Sequence, residues 1–353
     1  MPPKVSVVMP VYNGERFLRQ AVDSILQQDF EDLEFIIVDD GSKDRTWDIL
    51  QEYARHDPRV ILLRNDTNSG VLATRNRGLA AAQGEYLAVQ DADDISLPQR
   101  FSLQVAYLDQ HPQVSATGGP AQRIDEHGRV LSLWTVPQGH ENIRAHLLFT
   151  SPIAHTTMMA RLALVRQVGG YQYKYGVEDY DLWWRLSAVG RIETLPDVLA
   201  QYRSSGHDQR ITEAGASGQL QGSVELSLRH ISEILPPGQL DEAAYKRFFM
   251  CSRGRPKYLL PDDIMRLKPL WDALAADPYT RDVAGQKLLS TSVKVWRARP
   301  GEALRLMQIV RQQFGISSAQ VARKYARVYL RQPLTRTRKR AASPAPAPPQ
   351  TSR

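Results

Sequence analysis

GEYLAVQDADD, residues 84–94, runs four apolar residues, Tyr86-Leu87-Ala88-Val89, straight into Gln90 and three carboxylates within four positions. A short apolar run bounded by polar residues reads as a buried strand, so Asp91, Asp93 and Asp94 fall at its carboxyl end. Working outward, Val5 to Pro10, Leu33 to Val38 and Val60 to Leu63 repeat the strand pattern. Between them Phe17, Leu18, Ala21, Val22, Ile25 and Leu26 recur at helical spacing, as do Trp47, Leu50 and Tyr53 within 44–55, and a further helix is expected over 71–82. Strands alternating with helices imply right-handed crossovers and a mainly parallel α/β sheet, Rossmann-like, with helices on both faces. Ligands of such sheets bind outside the carboxyl ends of the strands. Asn13, Asp39-Asp40 and Asp91 to Asp94 all lie at such ends and are expected to share one crevice.

Three acidic clusters carry the chemistry. Asp39-Asp40-Gly41-Ser42 ends the second strand, where a carboxylate suits a nucleotide base or ribose; a strand-end turn and helix cap is the equally simple alternative. Asp91-Ala92-Asp93-Asp94 is harder to explain structurally, because adjacent carboxylates repel unless a cation neutralises them, and oxygen ligands suit a hard metal. Alternate residues point to opposite sides of a strand, so Asp91 and Asp93 address one ligand only if a turn begins there. This reading gives Asp93 to the metal and Asp91 to the ribose or a metal-bound water, with Asp94 as the cap of the helix that Pro98 opens. Glu178-Asp179-Tyr180-Asp181 enters an amphipathic helix, where acids complement the helix dipole or, with the other clusters, supply a base across from a leaving group. Trp183 and Trp184 at helical positions read as core.

Composition narrows the classes. The 353 residues contain one cysteine, Cys251, which cannot pair within the chain, and no zinc-spaced Cys/His group. A reducing compartment and oxygen-held metals are the expectation. No stretch approaches the roughly 18 apolar residues of a membrane span, and the chain is expected to be cytoplasmic and unprocessed. The net charge of +7 is concentrated: residues 319–353 hold nine Lys/Arg and no acid. The remainder therefore sums to about −2, which gives no basis for nucleic-acid binding.

VSVVMPVYN at 5–13, VDDGS at 38–42, ATRNRGL at 73–79, GEYLAVQDADD at 84–94, and GGYQ through EDYDLWWRL at 169–186 together resemble family 2 glycosyltransferases of the GT-A fold, over about residues 4–205. The resemblance implies inverting transfer of one sugar from a nucleotide-diphosphate sugar to an acceptor hydroxyl, as in bacterial surface-polysaccharide synthesis. By it, Pro10, Val11, Tyr12 and Asn13 with Asp39, Asp40 and Arg75 hold the nucleotide, and Asp91, Ala92 and Asp93 form the turn that binds Mg2+ or Mn2+ and the diphosphate. Asp179 becomes the base beside Glu178. His155 is assigned to the diphosphate or acceptor, with a structural histidine as the alternative. Arg203 and His207 are assigned to a lid over the phosphates, with a solvated loop as the alternative. The QxxRW motif of processive relatives is absent.

Two rival classes fit the residues less well. A sugar-nucleotide nucleotidyltransferase calls for a Gly-rich basic loop after strand one, where this chain has PVYNG at 10–14. A non-catalytic glycan-binding module leaves the three acidic clusters unexplained. The catalytic domain is expected over 1–210, a helical domain over 211–335 and a disordered Pro/Ala-rich tail over 336–353. Val321, Tyr325, Val328, Tyr329 and Leu330 share a helix with Arg323, Lys324, Arg327 and Arg331. Such a basic amphipathic helix suits peripheral contact with an anionic membrane and a lipid-linked glycan acceptor, or a merely solvated basic face.

Overall fold

The Val5–Val11 strand (β1) is buried throughout except for the half-buried Pro10, so it must lie between neighbours on both edges and helices on both faces. The computed structural model, which describes residues 2–173, 176–204, 213–253, 262–295 and 300–323, places it there. Helix α1 (Leu18–Leu26), β2 (Leu33–Asp39), α2 (Thr46–His56), β3 (Val60–Arg64), α3 (Val71–Ala81) and β4 (Tyr86–Val89) complete the alternating half. Next come β5 (Ile95–Ser96), α4 (Arg100–Gln110), β6 (Val114–Gly118), β7 (Ala121–Ile124), β8 (Val130–Trp134), α5 (His140–Leu147), a 3-10 turn at His155–Thr157, β9 (Met159–Arg161) and α6 (Leu162–Gln167). After α7 (Glu178–Val189), β10 (Arg191–Thr194) and β11 (Ala200–Arg203), the chain is helical: α8 (Glu213–Ser232), α9 (Glu242–Ser252), α10 (Asp263–Arg266), α11 (Lys268–Ala276), α12 (Pro278–Val295) and α13 (Pro300–Gln312).

The main sheet runs β10-β6-β9-β4-β1-β2-β3. It is parallel except for β9, which is antiparallel to both β4 and β6. Side chains alternate across it, and the two faces build separate cores. Val7, Met9, Phe35 and Ile37 pack with α1, α2 and α4. Val8, Ile36, Val38 and Val89 join α3, α7 and an apolar cluster that continues through α8, α9, α11 and α12. Helix α3 approaches closely because Gly78 faces β1; a Cβ there would lie 2.4 Å from Val8 Cγ1.

A second sheet, β5-β11-β7-β8, stands beside the first. Antiparallel β7 and β8 form its hairpin around Glu126-His127-Gly128, whereas β5 and β11 are too short to show a period in sequence. Fully buried Arg100 fastens the junction of the two sheets. Its guanidinium donates to Val89 O and Met158 O, both at 2.9 Å, and to Ser96 Oγ at 2.8 Å, fixing the end of β4 against the turn before β9. Burial pushes this guanidinium down to about 9.

Replacing Arg100 with Met leaves those buried acceptors without a donor, at about 1–3 kcal/mol each, partly offset by removal of a buried charge. Arg100→Met is expected to lower unfolding free energy by roughly 2–4 kcal/mol in urea titration; a change below about 0.5 kcal/mol, the scale of a neutral surface change, would contradict this role.

Candidate active site

The ends of β1, β2 and β4 open into a crevice of about 1570 Å³, larger than the roughly 300–1,000 Å³ of a single small-ligand pocket and roomy enough for two substrates. Pro10, Val11, Tyr12, Asn13 and Gly14 form one wall, with Asp40, Asn68, Gly70 and Val71 beside them. Asn13 takes a left-handed backbone, φ 49°, and links the first two loops: its N–H donates to Ser42 Oγ at 2.9 Å and its Oδ1 accepts from Lys43 N at 2.8 Å. Gly41, at φ 72°, is needed next to it, since a Cβ would meet Thr67 C at 2.9 Å.

The two aspartates of VDDGS divide. Asp40 accepts from Asn65 Nδ2, Ser69 N and Gly70 N, holding the loop that leads into α3, while its residue lines the crevice. Asp39 is fully buried beneath it, accepting from Ser42 N at 3.2 Å with Arg64 Nε 3.1 Å away.

A turn does begin at Asp91, closed by Asp94 N donating to Asp91 O at 3.1 Å, and Asp91, Ala92 and Asp93 all line the crevice. Buried Gln90 shapes this turn by donating to Asp91 O and Asp94 O. Asp94 is not a helix cap. It is buried and accepts from Arg203 N at 2.8 Å, and burial and Asp91 push its carboxyl well up.

Arg203 also departs from expectation. Neither a lid nor solvated, it is 2% exposed, donating to Asp93 O, Asp125 O and Gln20 Oε1 and lying 4.2 Å from the Phe17 ring centroid. It is a positioning residue that ties the acidic turn to α1 and β7. His207 lies outside the described residues.

Arg75, assigned to the nucleotide by the resemblance, lines the crevice at its acidic centre. One guanidinium nitrogen donates to Asp91 Oδ1 at 2.9 Å and another to Glu178 Oε1 at 2.6 Å, and its carbon lies 5.5 Å from the Tyr171 ring centroid. Burial alone would push the guanidinium down; Asp91, Glu178, Tyr171 and Asp179 together drive it well up. Asp179, half-buried in the first turn of α7, accepts from Tyr180 N at 2.7 Å. Burial first and Glu178 second push its carboxyl up to about 7, against the opposing pull of Arg75.

His155 is buried, with Nε2 2.9 Å from Tyr171 Oη, and burial with Arg75 and Arg100 nearby holds it well below the usual imidazole range, so it is neutral. Tyr171, within the GGYQ stretch, had no assigned role, yet it joins Arg75 to His155. Three buried atoms here have no hydrogen-bond partner: Glu178 Oε2, Arg75 Nε and His155 Nδ1. Unpartnered buried groups in a crevice suit a bound polar ligand. The far wall holds Trp134 and Tyr202, edge to face at 5.5 Å, followed by Thr150, Ser151, Ile153 and Arg253.

No three His, Cys, Asp or Glu side chains gather to hold a metal among the described residues. Two carboxylates on one turn, facing a crevice, do fit a hard cation that completes its shell with substrate phosphates and water.

A mainly parallel α/β sheet with carboxylates converging at its strand ends defines a Rossmann-like enzyme class in which nucleotides bind at that edge. The model of "Glycosyl transferase family 2" matches residues 6–168. The chain is 37% identical over 210 residues to the putative glycosyltransferase EpsE of Bacillus subtilis, covering 57% of this chain and 73% of that one. It is 30% identical over 202 residues to the amylovoran biosynthesis glycosyltransferase AmsE of Erwinia amylovora, covering 56% and 76%. Its fold matches residues 1–349 of S. aureus TarS, solved in complex with UDP-GlcNAc, at TM-score 0.54 and 19% identity over 92% of each chain. A longer TarS structure matches at TM-score 0.51 and 20% identity, and this chain spans 55% of its length. The protein belongs to family 2 of the glycosyltransferases and has the GT-A fold.

The raised Asp179 carboxyl has a consequence for stability. A carboxyl near 7 when folded and near 4 when unfolded makes the native state bind more protons between those values, so its contribution is lost as pH rises from about 4 through 7. Asp179→Asn removes that penalty and is expected to raise the melting temperature at pH 8 but not at pH 4. An equal change at both pH values would contradict a raised carboxyl.

Proposed function

We propose that this glycosyltransferase moves one sugar, with inversion, from a nucleotide-diphosphate sugar to an acceptor hydroxyl in polysaccharide or glycolipid synthesis. The observation that carries the reading is the Asp179 carboxyl, raised to about 7, in the same crevice as Asp91 and Asp93 and next to the Glu178 that Arg75 ties to Asp91. A group with that value is half ionised near neutrality and therefore suited to general-base work. The family's relatives named for amylovoran synthesis and the UDP-GlcNAc complex of TarS support a nucleotide-sugar donor and a polysaccharide product.

In this reading Pro10 to Asn13 and the Asp39–Asp40 loop receive the nucleotide, and Asp91 and Asp93 hold Mg2+ or Mn2+. A divalent cation held there would supply positive charge to stabilise the departing diphosphate. Asp179 accepts the acceptor's hydroxyl proton as that oxygen attacks the anomeric carbon, while the bond to the diphosphate breaks. Arg75 donates to Asp91 and holds Glu178 beside the base. Neutral His155 offers Nδ1 to a substrate oxygen. Trp134 and Tyr202 present the aromatic surface on which an acceptor sugar ring stacks.

Asp179→Asn is expected to lower nucleoside diphosphate release by about 10²–10⁴-fold while donor affinity stays within about threefold, because base and binding groups are separate. Near-normal turnover in this variant would remove the base assignment. Asp93→Asn is expected to abolish the metal-dependent part of donor binding measured calorimetrically with and without EDTA; donor binding indifferent to EDTA in the parent protein would remove the metal.

No helix among the described residues is long and apolar enough to cross a membrane. The expected basic amphipathic helix lies mostly outside the described residues; its contact with the inner face of an anionic membrane stays part of this proposal. Truncation after Gly315 is expected to release the protein from anionic vesicles, and unchanged binding would count against that contact.

A further inference from the structure

Tyr171 is gripped by its backbone before its side chain meets any other group. Helix α3 presents Asn76, whose Nδ2 donates to Tyr171 O at 2.7 Å and whose Oδ1 accepts from Tyr171 N at 3.0 Å. From α7, Arg185 donates to Val168 O at 2.6 Å and to Gly170 O at 2.7 Å, holding the segment that leads into Tyr171. Gly170, at φ 65°, permits the close approach to α3, since a Cβ there would lie 2.7 Å from Leu79 Cδ2 and 2.9 Å from Asn76 Oδ1. The buried tyrosine ring is thereby held beside Arg75 and edge to face with His155, the two ring centroids 5.6 Å apart.

Two protons have to be placed in the Tyr171–His155 contact. Burial pushes the phenol up, so Tyr171 keeps its hydroxyl proton, and the neutral imidazole of His155 carries one proton of its own. Among the described residues Tyr171 Oη has a single hydrogen-bond partner, His155 Nε2 at 2.9 Å, and His155 Nδ1 has none. With the imidazole proton on Nε2, that nitrogen donates to Oη, and both the phenol proton and the Nδ1 lone pair are left unmatched in a buried place. With the proton on Nδ1, the phenol donates to Nε2 and only Nδ1–H lacks a partner. Each buried polar group left unpaired is costly, so the arrangement with one orphan prevails over the arrangement with two.

Which imidazole nitrogen holds the proton is set by the bond the other one makes. We infer that Tyr171 is a positioning residue that fixes His155 as the Nδ1–H tautomer, so that His155 presents a hydrogen-bond donor to a substrate oxygen in the crevice. That oxygen belongs either to the diphosphate of the donor or to the hydroxyl of the acceptor; this assignment rests on the transferase reading, whereas the tautomer does not. The competing account is packing alone, with the Tyr171 ring filling the space between Arg75 and His155.

The tautomer is read directly from nitrogen NMR spectra of the full chain labelled in its histidine rings, with His155→Asn identifying the signals of His155 among those of the eight histidines. In the parent, Nδ1 is expected to be the protonated nitrogen and Nε2 the unprotonated one; the reverse pattern would overturn the inference. Tyr171→Phe keeps the ring and removes the hydroxyl. It is expected to shift His155 toward the Nε2–H form and to lower kcat/KM about five- to ten-fold, the scale of one hydrogen bond. Asparagine carries an N–H close to where Nδ1 stands and has no tautomer to set, so adding Tyr171→Phe to His155→Asn is expected to cost less than about twofold more. The full loss in that background, or a Tyr171→Phe variant with the parent's tautomer and rate, would leave Tyr171 a packing residue. A loss confined to kcat assigns the donated hydrogen to the departing diphosphate, and a rise confined to the acceptor's KM assigns it to the acceptor hydroxyl. Were Tyr171→Phe to fold poorly, the parent's own spectrum would still decide the tautomer. A parent that releases no nucleoside diphosphate would strike at the transferase reading instead and leave the tautomer standing.

Discussion

Arg75 is a buried guanidinium donating to Asp91, 16 residues away in sequence, and to Glu178, 103 away, so it ties the end of β4 to the start of α7. Half-buried Asp91 and buried Glu178 carry like charge, and the cation between them makes the arrangement tolerable. A buried pair of this kind is costly to break, because removing one partner leaves an uncompensated charge behind. The same cation also acts on a third acid. Asp179 is driven up by burial and by Glu178 and pulled back by Arg75, and the balance leaves it near neutrality rather than fully protonated or fully ionised. The clamp thus positions the Asp91 turn and, at once, bears on the protonation of Asp179, the base of the proposed mechanism.

The sheet makes that clamp possible. Parallel β1, β2 and β4 end together, so their loops meet at one edge, and the turn closed by Asp94 N and Asp91 O faces Asp91 and Asp93 into the shared crevice. Arg100 below and Arg203 beside the turn fix its backbone through carbonyl contacts, leaving the carboxylates of Asp91 and Asp93 on the crevice side.

The alternating half was legible because its signals are local. Tyr86 to Val89 is an unbroken apolar run, and the α1 and α2 patterns repeat every three or four residues, so physics acting over a few positions suffices to place them. Resemblance over 4–205 supplied the family. What stayed hidden depends on distant partners. Arg203 looks like a loop arginine until Asp94, 109 residues away, and Gln20, 183 away, close around it. Asp94 resembles a cap because Pro98 follows, yet its partner comes from β11. Two-residue β5 carries no period to read.

The central claim is that a base poised by Glu178 and Arg75 performs the transfer, and its most direct test is the pH dependence of nucleoside diphosphate release by the parent protein and by Glu178→Gln. Glutamine keeps an oxygen for Arg75 while removing the charge that raises Asp179. The parent's rate is expected to climb with pH through a midpoint near 7, and the variant's midpoint to move to lower pH. A rate that shows no ionisation between pH 5 and 9, or a midpoint that stays in place when Glu178 loses its charge, would contradict the account.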